Sequence, residues 1–119
     1  MDNQEFQIPA EAANWVETAG CAVTICDKDC NILFQNEEAR KLYAKHGDLR
    51  GRNLMPCHNE RSREIIRRLL ATGQTNTYTI EKGPIRKVIF QTPWRRGGEI
   101  AGIAEISIVL PPDMPHYVR

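Results

Sequence analysis

Between Thr75 and Leu110 the chain passes through three β-prone segments separated only by Gly83-Pro84 and Gly97-Gly98. Connections this short join antiparallel neighbours, because a parallel crossover needs a dozen residues or more. The spacing predicts strands over about Thr75–Glu81, Ile85–Trp94 and Glu99–Leu110, folded as a meander. In the last strand Gly102, Ala104, Ile106, Ile108 and Leu110 share one face. That face is wholly apolar, so it is expected to turn toward the core. Pro111-Pro112 stops the strand, and residues 111–119 read as a loose polar tail.

The first half alternates helix and hairpin signals. Residues 1–8 read as a polar, frayed start. Pro9 suits the first turn of a helix, and Ala12, Trp15, Val16 and Ala19 form one apolar stripe, with Gly20 at its end. In a helix over 9–20 with so little core of its own, Trp15 can pack on this domain's own sheet or, together with Val16, contact a second copy. Cys21–Cys26 and Ile32–Gln35 read as strands joined by the turn chemistry of Asp27–Asn31, which predicts a β-hairpin. Asn36 is a good N-cap for a helix whose buried stripe is expected to be Ala39, Leu42 and Tyr43. Asn59 can cap a longer helix over about Glu60–Thr72, with Ile65, Ile66, Leu69 and Leu70 inward and Gly73 as terminator. Strands at both ends with helices between them point to an α+β fold with one antiparallel sheet covered on one face.

Composition narrows the function. The 119 residues suit one domain. Sixteen Lys and Arg against fifteen Asp and Glu leave a formal charge of +1, far from the strong basicity of a dedicated nucleic-acid binder. Six Arg lie between Arg50 and Arg68, and Arg95-Arg96 add a turn pair, but Glu60 and Glu64 balance them in part, so a solvated helix face is expected and no nucleic acid. No apolar run approaches the roughly 20 residues of a membrane span, so no membrane insertion is expected. The first 20 residues carry Asp2, Glu5, Glu11 and Glu17 and no Lys or Arg, which argues against a signal peptide and for a cytoplasmic setting. Cys21, Cys26, Cys30 and Cys57 are then expected as reduced thiols, and their C-x4-C-x3-C spacing matches no zinc motif, so no metal is expected. G-x-S-x-G, H-E-x-x-H, G-x-G-x-x-G and the phosphate loop are all missing, and Cys57 and His58 are neighbours rather than a pair assembled from separate segments. No catalytic residue is assigned and no enzyme activity is expected.

The order of elements and several strings resemble a PAS domain. They are Ala22-Val23-Thr24-Ile25-Cys26-Asp27, then Ile32-Leu33-Phe34-Gln35-Asn36, then Ala39 and Tyr43, Gly51-Arg52-Asn53-Leu54, and Gly97 to Ile106. Cys57-His58-Asn59-Glu60 is similar to the Cys-His-Pro pattern of one bacterial PAS subgroup, with Asn59 where proline is common. The resemblance covers roughly residues 12–110. It implies a five-stranded antiparallel sheet in the order 2-1-5-4-3, a PAS core over 21–110, and helices on one face. It also implies a sensory or docking module, fused to or partnered with a kinase, cyclase or transcription regulator in cis or in trans; a homodimer is expected through the Trp15 and Val16 contact.

A ligand would sit between the sheet and its helices. The small Gly102 and Ala104 are expected to leave room there, lined by Leu42, Leu54, Cys57, His58, Ile66, Tyr78, Val88, Phe90, Ala104 and Ile106. The competing expectation is that larger neighbours fill the gap, giving a ligand-free dimerisation and docking module. Many domains of this kind work without a cofactor, and none is the leading expectation. Cys57 or His58 could ligate haem iron, as a histidine in the helical region does in some PAS domains. Gly51-Arg52-Asn53 resembles the start of the flavin motif of light-sensing LOV domains, but Leu54 stands where their reactive cysteine follows, which disfavours flavin. Thiol sensing by the cysteines of the first hairpin would require exposure and a lowered pKa.

Overall fold

The computed structural model describes residues 6–119, without the side chain of Cys57. In chain order the elements are α1 (Ala10–Thr18), β1 (Ala22–Asp27), β2 (Ile32–Gln35), α2 (Glu37–Leu42), two 3-10 turns (Ala44–His46 and Met55–Cys57), α3 (Glu60–Thr72), β3 (Asn76–Lys82), β4 (Ile85–Arg96) and β5 (Glu99–Leu110). The five strands form one antiparallel sheet in the order β2-β1-β5-β4-β3. The expected meander, hairpin and helices are all present.

Local chemistry sets the boundaries. Gly97 and Gly98 both take positive φ (60° and 83°), the requirement of a tight turn whose twist matches its strands. In the first hairpin Asp27 Oδ1 accepts from the amides of Asp29 and Asn31, both at 2.9 Å, and Cys30 takes φ 68° to bring the chain back. Asn59 Oδ1 caps α3 by accepting from Ser62 N at 2.9 Å, and Gly73 closes it in the left-handed conformation at φ 76°. Gly20 does not cap α1, because Ala19 has already turned to extended backbone (φ −58°, ψ 145°).

Asn36 joins three elements. It is fully buried, and its side chain uses all its bonding capacity. Oδ1 accepts from Val23 N at 2.9 Å and Ala39 N at 3.0 Å, while Nδ2 donates to Val16 O and Cys21 O, both at 2.8 Å. The end of α1, the start of β1 and the first turn of α2 are thereby pinned to one amide.

The sheet faces are the reverse of the sequence expectation. Ile66 and Leu69 of α3 pack on Cys26, Cys30 and Ile103. The covered face therefore carries Ile103 and Glu105 of β5, and the alternating Gly102, Ala104, Ile106 and Ile108 belong to the opposite, outer face. There the Trp94 indole lies over Gly102 and donates from Nε1 to Cys26 O at 2.9 Å. Gly102 is small because a Cβ would overlap the Cys26 carbonyl and stand 2.7 Å from Trp94 Nε1, not because it opens a pocket. Phe6 packs edge-on against Trp94, with centroids 5.3 Å apart at 72°. The expected frayed start at 1–8 falls outside the described residues for 1–5, while Phe6 is held in place.

Candidate functional site

A single register row crosses the whole sheet. Gln35 of β2 pairs with Thr24 of β1, Thr24 with Glu105 of β5, Glu105 with Gln91 of β4, and Gln91 with Asn76 of β3. All five are polar, and all lie on the helix-covered face. Gln35 Nε2 donates to Thr24 Oγ1 at 3.3 Å, Asn76 Nδ2 donates to Gln91 Oε1 at 3.0 Å, and Gln91 Nε2 donates to Glu105 Oε1 at 3.1 Å. Gln35 and Gln91 are buried. A mid-sheet row facing the core is normally apolar, because buried polar groups cost free energy unless paired.

Above this row is a cavity of about 340 Å³, near the small end of the range for ligand sites. Thr24, Gln35, Gln91 and Glu105 form its polar floor, Cys26, Ile32, Leu54, Ile66 and Ile103 supply apolar surface, and Tyr43, His46, Leu49, Arg52, Asn53 and His58 complete the lining. One wall is stitched to the edge of β2. Ile32 N donates to Arg52 O at 2.8 Å, Gly51 N to Ile32 O at 2.7 Å, and Leu54 N to Cys30 O at 2.8 Å. Asn53 locks that wall by donating from Nδ2 to Asp29 O at 2.7 Å and to Asn31 Oδ1 at 3.0 Å.

His58 is half-buried, with Nδ1 2.7 Å from Leu54 O. A carbonyl only accepts, so Nδ1 carries the proton and donates, which leaves Nε2 for another partner. Burial pushes the Cys26 thiol up to about 12 and also raises that of Cys30. These two behave as core residues rather than reactive thiolates. Tyr78 is raised by burial first and by the charge of Glu105 second.

Of the residues expected to line a cavity, the structure brings together Leu54, His58 and Ile66. Tyr78 lines a shallower groove of about 370 Å³ that shares His58, Ile66 and Gln91 with the cavity. Leu42 is 48% exposed, because α2 ends there and buries only Ala39 against the sheet. Val88, Phe90, Ala104 and Ile106 lie on the outer face, since strand parity sends them away from Glu105 and Gln91. The side chain of Cys57 lies outside the described residues. Trp15 is 67% exposed, and Val16 is half-buried with its carbonyl held by Asn36. Sequence reasoning passed over Thr24, Gln35, Gln91 and Glu105. Thr24, Gln91 and Glu105 carried a signal, a polar residue set between apolar or β-branched neighbours within a strand, whereas Gln35, at the end of β2 before Asn36, carried none. Among the described residues no cluster of three or more His, Cys, Asp or Glu could hold a metal ion, and no helix is long and apolar enough to cross a membrane.

No protein-family model matches the chain, and no curated protein matches it. Solved structures do. The PAS domain of the histidine kinase ThkA superposes with a TM-score of 0.62 at 18% identity, covering 74% of this chain and 97% of that one. The VqmA dimer of Vibrio cholerae superposes at 0.68 and 15% identity, over 95% of this chain and 56% of that one. VqmA bound to DPO superposes at 0.67 and 16%, over 86% of this chain and 58% of that one. The chain thus spans little more than half the length of VqmA. Its fold is the PAS fold.

Proposed function

We propose that this chain is a non-catalytic sensory module that binds a small molecule in the cavity between sheet and helices and relays the event to an output domain or protein. The observation that carries this reading is the polar row under the cavity. Close packing alone would favour an apolar floor, and polar side chains in a core face tend to be kept for a role other than stability. The fold supports the reading, since similar domains sit in a histidine kinase and in a receptor described as bound to DPO. A kinase, cyclase or transcription regulator, in cis or in trans, is the output in keeping with those neighbours.

Native mass spectrometry of the purified chain, followed by NMR titration of any released compound, tests this. A bound small molecule that shifts the amides of Thr24, Gln91, Glu105 and Leu54 is expected. A chain that carries nothing and shows no shift at these amides with any compound of a metabolite panel contradicts it.

A second reading is favoured by the outer face. Ile25, Phe90, Ala104, Ile106 and Ile108 share an apolar face that the helices leave uncovered, and Trp15 on α1 is exposed. We infer a homodimer that uses this face together with Trp15 and Val16, in line with the dimer described for VqmA. The two readings are compatible, because ligand and partner would occupy opposite faces of one sheet.

A further inference from the structure

We propose that the cavity selects a small compound presenting N–H donors on a positively charged or strongly donating nitrogen group (an amine, amidine or amino-heteroaromatic) to Glu105. The proposal rests on the reading of the cavity as a ligand site. It follows from counting donors and acceptors along the floor. Asn76 donates to Gln91 and Gln91 donates to Glu105, so that arm of the row runs in one direction and ends on the carboxylate. On the other side Gln35 donates to Thr24, which sits directly across from Glu105. The central acceptor is thus Glu105.

An ionised carboxylate offers about four lone-pair sites. One is taken, by Gln91 Nε2, and Glu105 forms no ion pair among the described residues. A half-buried carboxylate with so few donors is poised for more, since hydrogen bonds to a charged group are roughly twice as strong as neutral ones. An anionic ligand would meet this charge at the floor. Arg52 and His46 also line the cavity, but both are exposed, where water and salt screen them. The less hydrated Glu105 therefore decides the sign of the group that reaches the bottom. Gln91 is the weaker acceptor, because its carbonyl oxygen is uncharged and Asn76 already takes one of its two lone pairs.

The test is an NMR titration of the full chain with three probes of similar size: benzamidine, benzamide and benzoate. Benzamidine is expected to shift the amides of Thr24, Gln91 and Glu105 and to bind at least tenfold tighter than benzoate. Glu105→Gln should weaken benzamidine tenfold or more without weakening benzoate, and Glu105→Asp should keep the preference. If Glu105→Gln loses its dispersed spectrum, Glu105→Leu takes its place. Benzoate or benzamide shifting these amides as strongly as benzamidine, or a preference unchanged by Glu105→Gln, overturns the proposal and leaves the cavity reading standing. If none of the three shifts these amides, the proposal falls, and the empty panel then counts against the cavity reading as well.

Discussion

Trp94 reaches across the sheet to Cys26: its indole Nε1 donates to the Cys26 carbonyl at 2.9 Å, passing over Gly102. The same Cys26 lines the cavity on the other face, and the same indole packs against Phe6. One strand thus connects the covered layer to the segment preceding α1. Gly102→Ala should destabilise the fold by about 1–3 kcal/mol, because its methyl meets both the Cys26 carbonyl and the indole. Trp94→Phe should cost about 1 kcal/mol for the lost hydrogen bond, and more for the lost packing. Urea unfolding checks both, and a Gly102→Ala variant as stable as the parent contradicts the packing described.

Asn36 should be the least replaceable polar residue. Asn36→Ala strands two buried N–H groups, of Val23 and Ala39, and two carbonyls, of Val16 and Cys21. At about 1–3 kcal/mol for each group left without a partner or water, the total loss should exceed 3 kcal/mol. Asn36→Asp keeps the acceptors but not the donors and sets a charge against two carbonyls, so it should not rescue. Thermal unfolding monitored by circular dichroism distinguishes these outcomes from a mere helix-cap loss of about 1 kcal/mol.

Cys26 makes stability depend on alkaline pH. Burial raises its folded-state pKa from 9.0 to about 12, so the folded chain holds the proton after the unfolded chain has released it. The contribution is complete below pH 9 and declines as pH rises from 9 toward 12, by up to about 1.4 kcal/mol per pH unit. Denaturant midpoints measured across that window should fall less steeply for Cys26→Ala than for the parent. In the native state at pH 8 the thiol should also resist a disulfide-exchange reagent that labels it at once after unfolding.

The outer face predicts association. Ile106→Glu places a charge in the centre of the uncovered apolar surface and should convert a dimer to a monomer in sedimentation experiments. The fold should survive, because Ile106 does not contribute to the cluster of Cys26, Cys30, Ile66, Leu69 and Ile103. Trp15→Ala should weaken the dimer less. Parent and Ile106→Glu sedimenting alike would remove this face from the interface.

Much of the architecture was legible from local chemistry. Gly97-Gly98, Asp27 with its backbone-bonding carboxylate, Asn36, Asn59 and Gly73 each announce a turn or a helix end with a specific mechanism, and each does so in the structure. What was not legible is which side of β5 the helices cover. Ile103, Glu105 and Ser107 alternate with Gly102, Ala104 and Ile106, and the rule that apolar faces turn inward selects the second set. That rule assumes one buried face. Here the apolar face is left to Trp94, the Phe6 segment and a proposed partner, while the covered face keeps a polar row above which α3 closes a cavity. Leu42 was misplaced for a related reason: helical spacing alone does not reveal that α2 ends after six residues.

The central claim is that the helices cover the polar side of the sheet. Methyl-resolved nuclear Overhauser spectroscopy reads this directly. The methyls of Ile66 and Leu69 should show cross-peaks to Ile103 and none to Ala104 or Ile106. Cross-peaks from α3 to Ala104 and Ile106, with Ile103 silent, would turn the sheet over and take the cavity floor with it.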